Sequence, residues 1–191
     1  MKGSDDDVQT ALQTPTPSPS PPGASLEDLF RRHGRSVLRA AWRVTGSESD
    51  AEDVVQTVFL RLLDHGHLAT LGPEAGPYLR RAATNAALDV LRRRASARAV
   101  PIEDEGDELP DRAAGPAGRL RQGELRAELR RALAELPERA AEMFTLRYFE
   151  GWSNGEIAGA AGTSAGVVAV TLHRARRTLQ KSLDGFLGDL S

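Results

Sequence analysis

The chain has 191 residues, 27% of them charged, with 25 Lys and Arg against 27 Asp and Glu and no cysteine. That length suits one medium domain or two small ones, and the missing cysteine excludes a disulfide framework and a thiolate metal site. No run of about 18 apolar residues occurs, so no membrane insertion is expected. The acidic start MKGSDDDVQT lacks the apolar stretch of a signal peptide, so a cytoplasmic protein is the expectation.

Charge is unevenly spread. Residues 25–100 carry 12 Arg and 9 acids, whereas residues 101–122 carry 6 acids against Arg112, Arg119 and Arg121. Basic segments thus alternate with acidic connectors. Nearly every base is Arg, which a GC-rich coding bias explains more simply than a demand for guanidinium chemistry.

Residues 13–23, QTPTPSPSPPG, offer no apolar surface, and their prolines lack backbone donors, so 1–24 reads as a disordered tail. Ser25 stands at an N-cap position with Asp28 three residues on. Leu26, Leu29, Phe30, Val37, Leu38, Ala41 and Trp42 then make a helical stripe ended by Gly46. Ser49 and Glu52 match a capping box for the helix DAEDVVQTVFLRLL, which buries Val55, Val58, Phe59 and Leu62. HGHLATLGPEAG is a loop, and a further helix runs from about Pro77. Residues 101–118, PIEDEGDELPDRAAGPAG, read as a linker by their Pro, Gly and acid content.

Helices resume near Glu124. Pro137 suits the first position of PERAAEMFTLRYF, and Gly151 stops it. Ser153 and Glu156 form another capping box, Gly162 supplies a turn, and Thr163 or Ser164 can cap the last helix. That helix places Val168, Leu172 and Ala175 inward. No segment of useful length has strand periodicity. The fold class expected is all-α: a tail at 1–24, a helical domain at 25–97, an acidic linker at 98–121 and a helix-turn-helix domain at 122–186.

Two faces invite nucleic acid. Arg174, Arg176 and Arg177 follow the helix-turn-helix turn, where they can meet phosphates. Arg81, Asn85 and Arg92 recur at spacings of four and seven with Tyr78 one turn earlier, a combination suited to an unstacked base and its backbone. Both also fit an ordinary helical hairpin with solvated arginines and a core tyrosine, and the residues alone leave that open. His65 and His67 flank Gly66 without further ligands nearby, so neither a metal nor another cofactor is expected.

Taken in order, the pieces LFRRHGRSVLRAAWRVTGSESDAEDVVQTVFLRLL, YLRRAATNAALDVLRRR, ALAELPERAAEMFTLRYFEGWSNGEIA and HRARRTL resemble an extracytoplasmic-function (ECF) sigma factor. These are the minimal branch of the sigma-70 family of bacterial transcription initiation factors. The resemblance covers Leu26 to Leu183. It implies a non-enzymatic subunit that binds core RNA polymerase and directs transcription initiation. Region 2 would capture and melt the −10 element, and region 4 would dock on the −35 element. An anti-sigma factor is the implied regulator.

Carried onto this sequence, Asp50, Asp53, Gln56 and Leu60 would contact core polymerase. Tyr78, which replaces the family's usual tryptophan, would face the opening −10 DNA with Arg80, Arg81, Asn85 and Arg92. Ser164, Ala165, Gly166, Val167, Ala169, Thr171, Arg174 and Arg176 would face the −35 duplex. Promoter elements one and a half turns apart lie about 50 Å apart, and an extended linker of about 25 residues reaches ~80 Å. Its acids would suit a cationic RNA channel.

Three other readings compete: a stand-alone helix-turn-helix transcriptional regulator, a polymerase-binding protein that no longer reads promoters, and a metal enzyme using His65 and His67. The second draws on a departure from the family. Where a run such as Lys-Ser-Arg is usual, this chain has Ala169, Val170 and Thr171. Base readout then rests on methyl contacts from Val167 or Ala169, backbone N–H groups at the helix start and DNA shape. The free chain should therefore give little or no specific promoter shift in a gel, with binding appearing only when polymerase is added.

Overall fold

The computed structural model describes residues 25–64, 71, 75–97 and 116–189, and among them finds seven α-helices and no strand. The all-α expectation holds. The tail 1–24, His65, His67 and the acids of residues 103–111 lie outside the described residues.

α1 (Leu26–Thr45) begins where the Ser25 hydroxyl accepts from the Asp28 N–H at 3.1 Å. Hydrogen bonding to Ser25 also holds the exposed Asp28 carboxyl below its ordinary value. The helix ends at Gly46, in the left-handed region at φ 69°, whose N–H reaches the Trp42 carbonyl at 2.8 Å. The turn leaves Ser47, not Ser49, as the cap of α2 (Glu48–Asp64): the Asp50 N–H donates to the Ser47 hydroxyl at 3.3 Å. α3 (Ala75–Ser96) starts two residues before Pro77, which fits because the first helical turn has no intrahelical use for a proline N–H.

α4 (Pro116–Glu135) starts eight residues before Glu124. Pro116 opens it at the position proline favours, so residues 116–121 of the expected linker are helical. Pro137 is the N-cap of α5 (Glu138–Tyr148) rather than its first residue, its carbonyl accepting from the Ala140 and Ala141 N–H groups at 2.8 and 3.0 Å. α6 (Asn154–Ala161) carries the full capping box: Ser153 N–H to Glu156 Oε2 at 2.8 Å, and Glu156 N–H to Ser153 Oγ at 3.2 Å. Hydrogen bonds from the Ser153 side chain and backbone to the carboxylate lower the pKa of Glu156. Gly162, at φ 62°, ends α6, and Ser164 caps α7 (Ala165–Asp189) by accepting from the Val167 N–H at 3.3 Å. The helix axes turn through 105° at this corner, within the helix-turn-helix range.

No single helix is long and apolar enough to cross a membrane. The bent α6–α7 pair is apolar for another reason: Ile157, Ala158, Val168 and Leu172 close a small core with Met143, Leu146 and Trp152.

The larger core joins the two halves of the chain. Alanines at 40, 41, 83, 86 and 87 let α1 and α3 approach closely, and Val54, Val58 and Leu62 of α2 cover them. Into the same cluster come Leu133 and Leu136 from the end of α4, Ala141 of α5, and Ala175 and Leu179 of α7. Leu133 has no exposed surface. Leu133→Ala is expected to lower stability by about 2–5 kcal/mol. Because the core is shared, the urea transition should move as one for probes placed in either half.

Candidate nucleic-acid and partner faces

α7 shows two faces. Val168, Leu172, Ala175 and Leu179 are buried, while Ser164, Ala165, Gly166, Val167, Ala169, Arg174 and Arg176 are exposed and Thr171 is half-buried. The expected −35 residues therefore share a continuous outer surface. It is apolar at its start, where Val167 and Val170 are each 51% exposed, and cationic one to two turns later. The helix start brings free backbone N–H groups and the positive end of a 25-residue dipole to the same place.

α3 presents the second face. Tyr78 is 44% exposed beside half-buried Arg80, Arg81 and Asn85. A cavity of about 350 Å³ opens between Tyr78, Arg81, Ala82 and Asn85 on α3 and Val58, Arg61 and Leu62 on α2. The buried Oδ1 of Asn85 has no hydrogen-bond partner among the described residues. An aromatic ring, a guanidinium and an amide acceptor at one cavity form a set that can hold an extruded base. Arg92 does not join them. It lies along α3 and pairs with Asp89 at 3.2 Å.

Three side chains of this face, Arg80, Arg81 and Asn85, meet acids from the other half of the chain, while Tyr78 stays exposed. The Arg81 Nε donates to Glu142 Oε1 of α5 at 2.6 Å, and Asn85 Nδ2 donates to the same oxygen at 3.1 Å. Arg81 also caps the C-terminal end of α6 through the Ala160 carbonyl. Arg80 lies 3.5 Å from Glu150, whose side chain is only 4% exposed. Arg43 of α1 completes that site, 3.3 Å from Glu150 and bonded to the Phe149 carbonyl at 2.8 Å. Arg130 of α4 crosses over Gly46 to reach the Val44 carbonyl at 3.2 Å. None of Arg43, Arg130, Glu142 or Glu150 stands out in the sequence, where each reads as a solvated helix charge.

α2 carries the third face. Asp53, Gln56 and Leu60 are exposed along one side, with Leu60 at 57%. Beside them runs a groove of about 610 Å³ between α1 and α2, lined by Phe30, Arg31, Gly34, Arg35, Leu38, Glu52, Val55 and Gln56. Phe30, at the edge of the α1 stripe, lies across the surface, edge-on to Phe59. Asp50 corrects the expected set in the other direction. Its carboxylate turns inward to Arg94 at the end of α3, because its position at the third residue of α2 points it under the helix start. Burial pushes its pKa up, while Arg94 opposes that shift.

Residues 29–97 match the family profile Sigma-70 region 2, and residues 126–179 match Sigma-70, region 4. The ECF RNA polymerase sigma factor SigE of Mycolicibacterium smegmatis is 33% identical over 159 residues, covering 83% of this chain and 62% of that protein. The match thus spans less than two thirds of that relative's length. The ECF RNA polymerase sigma factor SigL of Mycobacterium tuberculosis is 31% identical over 165 residues, covering 84% of this chain and 89% of that protein. Among solved structures, CnrH in complex with the cytosolic domain of CnrY superposes with a TM-score of 0.51 at 25% identity, covering 84% of this chain and 88% of that one.

The Asp50–Arg94 pair gives a pH-dependent test. Arg94→Ala strands a largely buried carboxylate and should cost about 1–3 kcal/mol near neutral pH. A carboxyl whose folded pKa lies above its ordinary 3.8 binds its proton more tightly folded than unfolded. Stability of the variant should therefore recover as pH falls through that raised value. Urea titrations at about pH 7 and about pH 4 measure the difference.

Proposed function

The chain belongs to the sigma-70 family, and from that membership we propose that it works as an ECF-type sigma factor, a specificity subunit with no reaction of its own. It binds core RNA polymerase, brings promoter DNA to it and allows transcription to start. The observation that carries this reading is the order of the two matched regions, 29–97 before 126–179. A stand-alone helix-turn-helix regulator would leave the first of them without a role.

In this reading the exposed side of α2, with Asp53, Gln56 and Leu60, meets the polymerase. Asp50 acts from behind, holding α2 to α3 through Arg94. Tyr78 stacks on an extruded base of the −10 element, Arg80 and Arg81 hold its backbone, and the Asn85 amide reads or orients it. Arg92 meets phosphate farther along the strand. Melting needs no chemistry beyond this: an unpaired base that gains an aromatic partner and a hydrogen bond is no longer favoured in the stack.

The α7 face from Ser164 to Arg176 docks on the −35 duplex. Arg174 and Arg176 take phosphates, and Val167 and Ala169 meet thymine methyls. With so few donors at its start, this helix contributes modest discrimination, and polymerase supplies the remaining affinity. A cytosolic anti-sigma domain belongs to the same proposal, supported by the likeness to CnrH, which was solved with the cytosolic domain of CnrY bound.

Run-off transcription with purified core polymerase tests the reading: the chain should confer specific new start sites. Leu60→Arg should abolish association with core while leaving helix content intact. Tyr78→Ala should reduce initiation on duplex promoters by about 5–150-fold, the equivalent of a stacking loss of about 1–3 kcal/mol. A pre-melted template should restore most of it. Failure of the purified chain to bind core polymerase would end the proposal.

A further inference from the structure

We propose that the groove between α1 and α2 is a docking site for an acidic peptide with apolar side chains, and that its occupant in the free protein is the chain's own segment 5–12. The segment has to leave before core polymerase takes the adjoining α2 face. That second step rests on the reading of α2 given above.

The groove offers two kinds of surface. Its floor is apolar, with Phe30 53% exposed beside half-buried Leu38 and buried Val55. Its α1 rim is cationic. From Leu29 to Thr45, α1 carries five arginines and no acid. Arg31, Arg35 and Arg39 recur every four residues, so they follow one side of the helix, and all three are exposed. Arg31 pairs with Asp28 inside its own helix, whereas Arg35 has no hydrogen-bond or ionic partner among the described residues. Glu52 and Gln56 form the opposite rim.

Segment 5–12, DDDVQTAL, is complementary to both surfaces. Asp5, Asp6 and Asp7 are the only acids of residues 1–24, and Val8, Ala11 and Leu12 follow them at spacings of three and four. Arg31 and Arg35 attract the acids to the α1 rim, and Glu52 repels them from the other. Val8 and Leu12 supply apolar side chains for the floor. The connection favours this occupant over a separate molecule. Residues 13–24 reach up to ~40 Å when extended, and Phe30 lies about 8 Å along α1 from the Ser25 cap. A short tether gives an effective concentration of about 1 mM. An intrinsic dissociation constant of about 0.1 mM then leaves the groove open about a tenth of the time. Gln56 lines the groove and shares the assigned polymerase face with Asp53 and Leu60, so segment and polymerase exclude each other there.

Because the chain has no cysteine, a nitroxide attached to the full-length Ser4→Cys variant reports where the segment lies. It should broaden the backbone amide resonances of Gly34, Leu38 and Val55. The broadening should fall at about 0.5 M salt. It should disappear when Asp5, Asp6 and Asp7 are all changed to Lys, and again in the Val8→Asp, Leu12→Asp variant. Adding Arg31→Glu and Arg35→Glu to the triple Lys variant should bring it back. Without the nitroxide, the triple Lys variant should bind purified core polymerase about tenfold tighter than the parent chain.

Absence of broadening at the groove would overturn the proposal, as would broadening that survives both tail variants. A mixture of nitroxide-bearing chain without isotope label and isotope-labelled chain without nitroxide checks the source. Broadening of equal size in that mixture would mean that a second copy fills the groove, and the tethered segment would be ruled out. Broadening with unchanged polymerase affinity would also overturn the proposal, because the two would then not compete. Failure of parent and variants alike to bind core polymerase removes the sigma reading instead, and the resonance data alone then decide whether segment 5–12 occupies the groove.

Discussion

A carboxylate taken out of water needs a cation at hand, and Glu142 and Glu150 find theirs across the boundary between the two halves of the chain. Arg81, Asn85 and Arg43 are held by those acids, Arg80 lies beside one of them, and the placement of α5 and α6 over α3 follows. The apolar surface beneath would bring the halves together in several registers, since burial of Leu133 and Ala141 has no directional preference. Ionic partners at fixed points on α1 and α3 select one of them.

The same arrangement engages cations within a chain whose formal net charge is only −2. Arg80 and Arg81 on α3 are not spare: internal acids flank or bind them. On α7 the arginines beyond the first turn remain exposed, so the α3 and α7 faces differ in the availability of their cations. On α3 the polar groups are engaged by the other half of the chain while the aromatic ring of Tyr78 is exposed. On α7 the helix start is apolar, with Val167 and Val170 exposed ahead of the arginines.

Much of the architecture is legible in the sequence because it depends on local chemistry. Ser25, Gly46, Ser153 and Gly162 mark helix ends through caps and positive φ, and the stripe Val168, Leu172, Ala175 sets the buried side of α7. Ser47 does not stand out because Ser49 with Glu52 fits a capping pattern equally well, and only the geometry after Gly46 decides between them. The early start of α4 was hidden by Gly and Pro, which suggest a connector even when Pro116 begins a helix. The inward turn of Asp50 and the partners of Arg80 and Arg81 depend on residues 44 to 79 positions away. No periodicity encodes a contact of that range. The resemblance to sigma factors supplied the roles of these residues but not their state in the free chain.

Gly46 ties two properties of the molecule that would otherwise vary separately. Its positive φ stops α1, and its bare α-carbon leaves the gap through which Arg130 passes; a β-carbon there would come within 2.1 Å of the guanidinium. The acceptor for Arg130 is the Val44 carbonyl, in the last turn of the same helix. Lengthening α1 by a single residue would swing that last turn by about 100° around the axis. The length of the first helix is thereby calibrated against the seat of the fourth, and drift in either would have to be matched by the other.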